Sequence, residues 1–342
     1  MAALPMLAEG TVLGGRYRIV RELGRGGMGI VYEALQQDLN RRVALKVLFA
    51  FAGGPQLERF RQEARSAAAL GHPNIVQVTD FQTPLDGPPF LVMELLEGVS
   101  LGELIDRQGP LPYPRVAFIT MQVLVALSAA HRAGIVHRDI KPDNVFLTAT
   151  SLSNDVVKVL DFGVAKVDSD AAPMTSHGQV IGTPAYMPPE QARGGPIDAR
   201  ADVFAVGATM YHAITGRLPT PPPDGLSATL EAPPSRSIMA TEALALVRPD
   251  LPTGLTALVD RAMSLEPGER FASAEEMRAA VASFSPAGSS PDVSSKPPAS
   301  LQTSARPSFA HAPTFAPYPV GAPTRGSVPP PPLAPATGGA PT

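Results

Sequence analysis

The sequence contains no cysteine and no tryptophan. Without thiols there is no disulfide, no thiolate metal site and no cysteine nucleophile, so those forms of support and chemistry drop out. Charged residues make up only 17%, against about a quarter in ordinary domains, which excludes a coiled coil. The formal net charge is −3, too small to draw the chain to nucleic acid or to an anionic membrane surface. The longest uncharged apolar stretch, Val116–Ala130, is fifteen residues long. A membrane-spanning helix needs about 20, so this stretch is expected to be a core helix of a soluble protein. Met1–Gly10 has neither the basic start nor the apolar run of a signal peptide. The expected location is cytoplasmic.

Proline, by contrast, is abundant: 39 of 342 residues, or 11%, against about 5% in average usage. The excess is uneven. Residues 286–342 hold 15 prolines, 13 serines or threonines and only four charges. Such a segment cannot bury enough apolar surface to offset its conformational entropy and is expected to be disordered, with polyproline II character near Pro329–Pro332. Its plain reading is a flexible tail. Its sharper reading is a docking segment for a proline-recognising partner.

The remaining residues change texture midway. Strand-like runs are predicted at Tyr17–Glu22, Ile30–Ala34, Arg42–Phe49, Ile75–Phe81 and Phe90–Glu94, with one helix at Gln56–Leu70. Beyond Ser100 helical patterns dominate, at Pro114–Arg132, Ala201–Thr215, Leu255–Ser264 and Ala274–Phe284. A small β-rich unit therefore precedes a larger α-rich one, with a joint at Leu95–Gly98.

Between the first two strand-like runs, Gly24, Gly26 and Gly29 form G-x-G-x-x-G, followed by Val31. Glycines let backbone N–H groups approach a polyphosphate without a Cβ in the way. A dinucleotide-binding reading requires a helix after the loop; a strand-like run follows instead, the shape of a flap over a nucleotide. A plain glycine-rich hairpin has the same local pattern. Lys46 then lies inside the apolar run Val43-Ala44-Leu45-Lys46-Val47. It is either a solvent-facing lysine or one aimed at phosphates and held by a carboxylate. Glu63 and Glu58 on the predicted helix are both available, and spacing does not choose between them; Glu63 is carried forward as the partner, although pairing with Arg59 on its own helix suits it equally.

Two clusters complete the pattern: His137-Arg138-Asp139-Ile140-Lys141-Pro142-Asp143-Asn144, and Asp161-Phe162-Gly163 seventeen residues after Asn144. In order and spacing the four motifs resemble the eukaryotic-type (Hanks-type) protein kinase signature set. The resemblance covers about residues 12–285 and is nearest to bacterial serine/threonine kinases, through His72-Pro73-Asn74-Ile75-Val76, Gly182-Thr183-Pro184-Ala185-Tyr186-Met187 and Arg270–Met277. It implies an α+β, bilobal protein-kinase fold, with a β-rich N-lobe over about 12–95 and an α-helical C-lobe over about 99–285. It also implies ATP and Mg²⁺ as cofactors and the Ser/Thr hydroxyls of proteins as acceptors. Asp139 would orient the acceptor hydroxyl, Lys141 would flank the transferring phosphate, and Asn144 and Asp161 would hold the metal. The nucleotide would touch Leu23, Gly24, Arg25, Gly26, Gly27, Met28, Gly29, Ile30, Val31, Ala44, Lys46 and Met93, with the backbone of Glu94 and Leu96 bonding the base.

The same resemblance implies regulation. Arg138 marks kinases whose activation segment, here Asp161–Glu190, is ordered by phosphorylation, with Thr175 and Ser176 as the central hydroxyls and Ser169 a weaker one. Thr183 would contact Asp139 and Lys141. Glu190 would pair with Arg270, and Asp202 would anchor the catalytic loop. Two stretches depart from the family. Pro188 stands where alanine is usual, and Thr220-Pro221-Pro222-Pro223 opens an irregular stretch to Pro252, a region that often contributes to substrate docking. The competing readings are a non-catalytic kinase-fold scaffold with a proline-rich interaction tail, a small-molecule phosphotransferase and a proline-rich adaptor. The first would lack Lys46, Asp139 or Asp161, and the second the Gly-Thr-x-x-Tyr and Pro-Glu ending.

Overall fold

The structure is a computed structural model that describes residues 7–26, 29–48, 68, 70–84, 87–149, 155–162, 184–219 and 243–285. The expected helix Gln56–Leu70, save Ala68 and Leu70, and the proline-rich stretch 286–342 lie outside the described residues.

Among the described residues, the N-lobe holds a six-stranded sheet. Its strands are β1 (Val12–Leu13), β2 (Tyr17–Gly26), β3 (Gly29–Gln36), β4 (Arg41–Leu48), β5 (Val78–Gln82) and β6 (Phe90–Glu94), in the order β1-β2-β3-β4-β6-β5. The alternation of side chains across a strand divides β4 and β6 between two faces. Val43, Leu45, Val47, Phe90 and Val92 fill one core with Tyr17, Ile19 and Tyr32. Ala44, Leu91 and Met93 face the other way and join Leu23, Val76 and Val78. Lys46 shares the face of Ala44, so the sheet itself points it toward the C-lobe.

The third motif glycine has a packing role beside any phosphate role. Gly26 pairs with Gly29 at the end of the β2–β3 hairpin, and a Cβ on Gly29 would come within 2.2 Å of the Val47 carbonyl oxygen. Glycine there lets β3 lie directly against β4.

One expected strand starts late. Ile75–Phe81 was expected as a single run, but β5 begins at Val78 because the preceding residues bond across the lobes. The Val76 N–H donates to the Val159 carbonyl (3.0 Å) and the Val159 N–H to the Asn74 carbonyl (2.8 Å). Beneath, the Asn74 side-chain amide donates to Val157 O (2.9 Å) and Gln122 Oε1 (3.3 Å).

The C-lobe opens with a second, three-stranded sheet, β7 (Gly98–Ser100), β8 (Val145–Thr148) and β9 (Val156–Val159). Its helices are α1 (Leu101–Gln108), α2 (Tyr113–Arg132), α3 (Pro189–Ala192), α4 (Arg200–Thr215), α5 (Leu244–Val247), α6 (Thr253–Ala262) and α7 (Ala274–Val281). Ser100 caps α1 by accepting from the Glu103 N–H at 3.0 Å. By length and composition α2 could cross a membrane, yet 67% of its most apolar window is buried inside the protein. Its Leu124, Leu127 and Ala130 lie in the C-lobe core with Val203, Ala213 and Leu255.

The departure at Pro188 is accommodated. Pro188 sits extended at the N-cap of α3 (φ −68°, ψ 150°), and Pro189 takes the first helical position, where no intrahelical donor is lost. The next residue, Glu190, receives both arms of the Arg270 guanidinium at 2.7 and 2.8 Å. Arg270 also donates to the carbonyls of Ser264, Arg200 and Leu265, and lies over the Phe204 ring. Its side chain is fully buried. Removing one member of such a pair leaves a desolvated, unpaired charge, which costs about 3–5 kcal/mol. Arg270→Leu should therefore lower the unfolding free energy by about that amount in urea titrations; a change under about 1 kcal/mol would show the pair to be incidental.

Candidate active site

Antiparallel register explains how residues seventeen positions apart meet. β8 and β9 pair with Val145 opposite Val159. Asn144, just before β8, therefore lies opposite Leu160, just after β9, and the Leu160 N–H donates to the Asn144 carbonyl at 2.9 Å. Asp161 follows directly. The hairpin thus brings the two expected metal ligands to one end of the small sheet.

The loop carrying Asp139 is held from below. Asp202, near the start of α4, is completely buried. Its carboxylate accepts the N–H groups of His137 and Arg138, each at 2.8 Å, and lies 2.8 Å from His131 Nε2. These bonds sustain a backbone at Arg138 that L-residues seldom adopt, φ +63°; Asp161 shares the same region, φ +54°.

His137 joins the two motifs. Its Nδ1 accepts from the Asp139 N–H (3.2 Å), so the ring proton sits on Nε2, which donates to the Leu160 carbonyl at 2.9 Å. The Phe162 ring lies 4.5 Å from it, centroid to centroid. Motif spacing gave no sign of this tie; a fully buried histidine between two loops is its structural signature.

At the top of the loop, Asn144 donates its side-chain amide to the Asp139 carbonyl (2.7 Å) and carboxylate (3.1 Å). Lys141 Nζ lies 3.5 Å from Asp139 Oδ2. From the N-lobe, Lys46 Nζ reaches Asp161 Oδ1 at 2.6 Å. Glu63, its expected partner, and Glu58 lie outside the described residues, as do Gly27, Met28, Gly163, Ser169, Thr175, Ser176 and Thr183. Asp143 lies beside this group. Partial desolvation by the surrounding protein raises its carboxyl above its ordinary value, with the charges of Asp106 and Asp139 adding and that of Lys141 opposing.

The residues expected around the base also meet. Leu23, Ala44 and Met93 form one apolar cluster with Val76 and Leu91, and Val31, Leu96 and Leu160 pack on it. The side chain of Glu94 is occupied: its Oε1 accepts from Lys158 Nζ (2.6 Å) and from the Gln77 N–H (2.8 Å). The lobe joint is thereby tied to β9, another link that motif spacing did not reveal.

The arrangement matches known proteins. The family model described as the protein kinase domain matches residues 17–281. Serine/threonine-protein kinase Pkn3 of Myxococcus xanthus is 40% identical over 283 residues, covering 79% of this chain and 50% of that protein. Pkn1 of the same organism is 42% identical over 276 residues, covering 78% of this chain and 38% of that protein. The chain thus spans half or less of these two relatives. The crystal structure of the PknI kinase domain of Mycobacterium tuberculosis superposes with a TM-score of 0.63 at 31% identity, covering 82% of this chain and 100% of that one.

The account of Asp202 has a direct check. Asp202→Ala would leave two buried N–H groups unsatisfied, at about 1–3 kcal/mol each. Thermal unfolding should shift down, and amide exchange at His137 and Arg138 should speed up; unchanged exchange there would contradict the anchor. Two lobes, an interlobe lysine, a strained loop presenting Asp139 and an asparagine–aspartate pair set by one hairpin agree with the sequence and structural matches, and the chain belongs to the protein kinase family.

Proposed function

We propose that the chain is an ATP- and Mg²⁺-dependent serine/threonine protein kinase. The observation that carries the reading is that Lys46 meets Asp161 across the lobes at 2.6 Å, Asp139 meets Lys141 and Asn144 at 3.5 and 3.1 Å, and the Leu160 N–H, one residue before Asp161, joins the two groups by donating to the Asn144 backbone carbonyl at 2.9 Å. Phosphoryl transfer passes through a loose transition state, so catalysis is mostly positioning and charge stabilisation, and these five residues supply both.

Asp139 orients the acceptor hydroxyl and accepts its proton as the hydroxyl oxygen bonds to the γ-phosphorus of ATP and ADP departs. Lys141 neutralises charge on the moving phosphoryl group, and Lys46 takes the other phosphates. Leu23, Val31, Ala44 and Met93 enclose the adenine, with the backbone of Glu94 and Leu96 at its edge.

The donor set fits magnesium. The Asn144 side-chain NH₂ is spent on Asp139, and no hydrogen bond reaches its side-chain oxygen Oδ1 among the described residues; the Asp161 carboxylate adds hard oxygens. One or two such ligands plus substrate phosphates is how this ion is usually held. When bound, the ion screens the phosphate charge that the lysines leave uncompensated.

Phosphorylation at Thr175 or Ser176 is the proposed activating step. Its support is Arg138, whose guanidinium has no hydrogen bond or ion pair among the described residues and which lines the cleft beside Asp139. We place the activity in the cytoplasm, with proteins as substrates and a proline-recognising partner for 286–342.

Incubation with labelled ATP and Mg²⁺, followed by phosphosite mapping, tests the assignment. Asp139→Asn should reduce incorporation by at least about 10²-fold; equal incorporation would refute the assigned base. Thr175→Ala combined with Ser176→Ala should abolish most activity toward a protein substrate, and full activity of that variant would sink the activation step.

A further inference from the structure

The peptide unit that leads into Asp139 is held on both sides. Its N–H, on Asp139, donates to His137 Nδ1 at 3.2 Å. Its carbonyl, on Arg138, accepts from the side-chain amide of Gln191, Nε2 to O at 3.1 Å. The unit follows the left-handed Arg138, φ +63°, a conformation that an L-residue does not favour by itself. A planar peptide unit can turn about the bonds that flank it unless its polar groups are fixed. Turning this one would swing the Cα–Cβ bond of Asp139 and move its carboxylate. Asp202 does not prevent that, because its bonds go to the N–H groups of His137 and Arg138, which belong to earlier units. Among the described residues, Gln191 is the group that holds the carbonyl side.

The backbone of Gln191 is set independently of the loop it touches. Pro189 starts α3, and Glu190, the residue before Gln191, is clamped by Arg270 at 2.7 and 2.8 Å. From that support the side chain enters a small cleft lined also by Arg138, Asp139 and Met187. The other half of its amide has no use there. Gln191 Oε1 is closed off from solvent and receives no hydrogen bond among the described residues. Exchanging the two ends of the amide gives no relief, since it would set oxygen against the Arg138 carbonyl oxygen. Burying an acceptor without a partner costs stability, and an apolar side chain of similar length would avoid that cost. Glutamine is therefore a poor choice for packing and a good one for holding the Arg138 carbonyl. Such local conflicts are expected where a residue serves a site.

We propose that Gln191 is a positioning residue for phosphoryl transfer: its bond to the Arg138 carbonyl fixes the peptide unit that aims the Asp139 carboxylate. The inference rests on Asp139 as the residue that orients the acceptor hydroxyl. Gln191 lies outside the apolar cluster assigned to the base, so nucleotide affinity does not depend on it.

Single-turnover phosphorylation of an acceptor peptide at saturating ATP reads the chemical step, and steady-state assays give the two KM values. The full chain is compared with Gln191→Met, Gln191→Lys, Asp139→Asn and the Gln191→Met/Asp139→Asn double variant. Gln191→Met keeps the length and removes the amide. Loss of one neutral hydrogen bond corresponds to about a fivefold effect. The single-turnover rate should fall by about that factor, with the ATP and peptide KM values within about twofold. Gln191→Lys, which restores a donor within reach of the carbonyl, should recover part of the loss. In the Asp139→Asn background Gln191→Met should have no further effect, because no carboxylate remains to be aimed. An unchanged rate, an ATP KM that rises in parallel, or effects that multiply in the double variant would each overturn the proposal. Should Gln191→Met not fold, Gln191→Asn decides, since it keeps an amide but withdraws it by one methylene and should slow the step likewise. Failure of the underlying reading is separate: it would appear as full activity of Asp139→Asn alone.

Discussion

The site depends on one buried carboxylate. Asp202 has no solvent and sits under a turn that would otherwise hide two unsatisfied N–H groups, those of His137 and Arg138. An isolated charge there would be costly, but three hydrogen-bonding groups converge on it, and the strained backbone of Arg138 becomes the resting geometry. Everything functional hangs from that turn. His137 carries the constraint to Leu160 and Phe162, and Asn144 carries it to the side chain of Asp139. Because α4 is packed on nearly all sides, the anchor itself has little freedom.

A second constraint acts between the lobes. Residues 74–76 bond to β9 rather than to the N-lobe sheet, while Lys158 on β9 reaches up to Glu94 at the joint. β9 is therefore shared property: Lys158 and Val159 hold the lobe connection, and Asp161 follows two residues later. Lys46, directed downward by strand alternation, meets Asp161 across the gap. Lys46 and Asp161 thus neutralise each other. Under the proposed function, substrate phosphates supply anions for the lysine and the metal a cation for the aspartate, so nucleotide and metal together replace this ion pair.

Much of this was legible in the sequence, for identifiable reasons. The strands of the N-lobe sheet show period-two alternation, and the long helices show the helical period, because each buries one face. The motifs are readable because short loops with special backbone needs fix residue types locally: Gly29 against Val47, Asp202 under Arg138, Pro189 at a helix start. The Glu190–Arg270 pair expected from the resemblance is present with bidentate geometry. What escaped has a common cause. Asn74 with Gln122, Glu94 with Lys158 and Gln191 with Arg138 join residues tens of positions apart, and a long-range side-chain bond leaves no local periodicity. The late start of β5 has the same origin, since its would-be first residues are recruited by the other lobe. Neither α1 nor β7 was anticipated; β7, with three residues, is too short to establish a period.

The central claim is that Asn144 and Asp161, brought together by the β8–β9 register, hold the metal at a nucleotide lying between Lys46 and the Leu23–Ala44–Met93 cluster. A crystal grown with Mn²⁺ and a non-hydrolysable ATP analogue, measured for anomalous scattering, tests it most directly. The account predicts a manganese peak in direct coordination, at about 2.0–2.6 Å, with Asn144 Oδ1 and the Asp161 carboxylate, beside the phosphates. A peak elsewhere, or a nucleotide bound away from that apolar cluster, would contradict it.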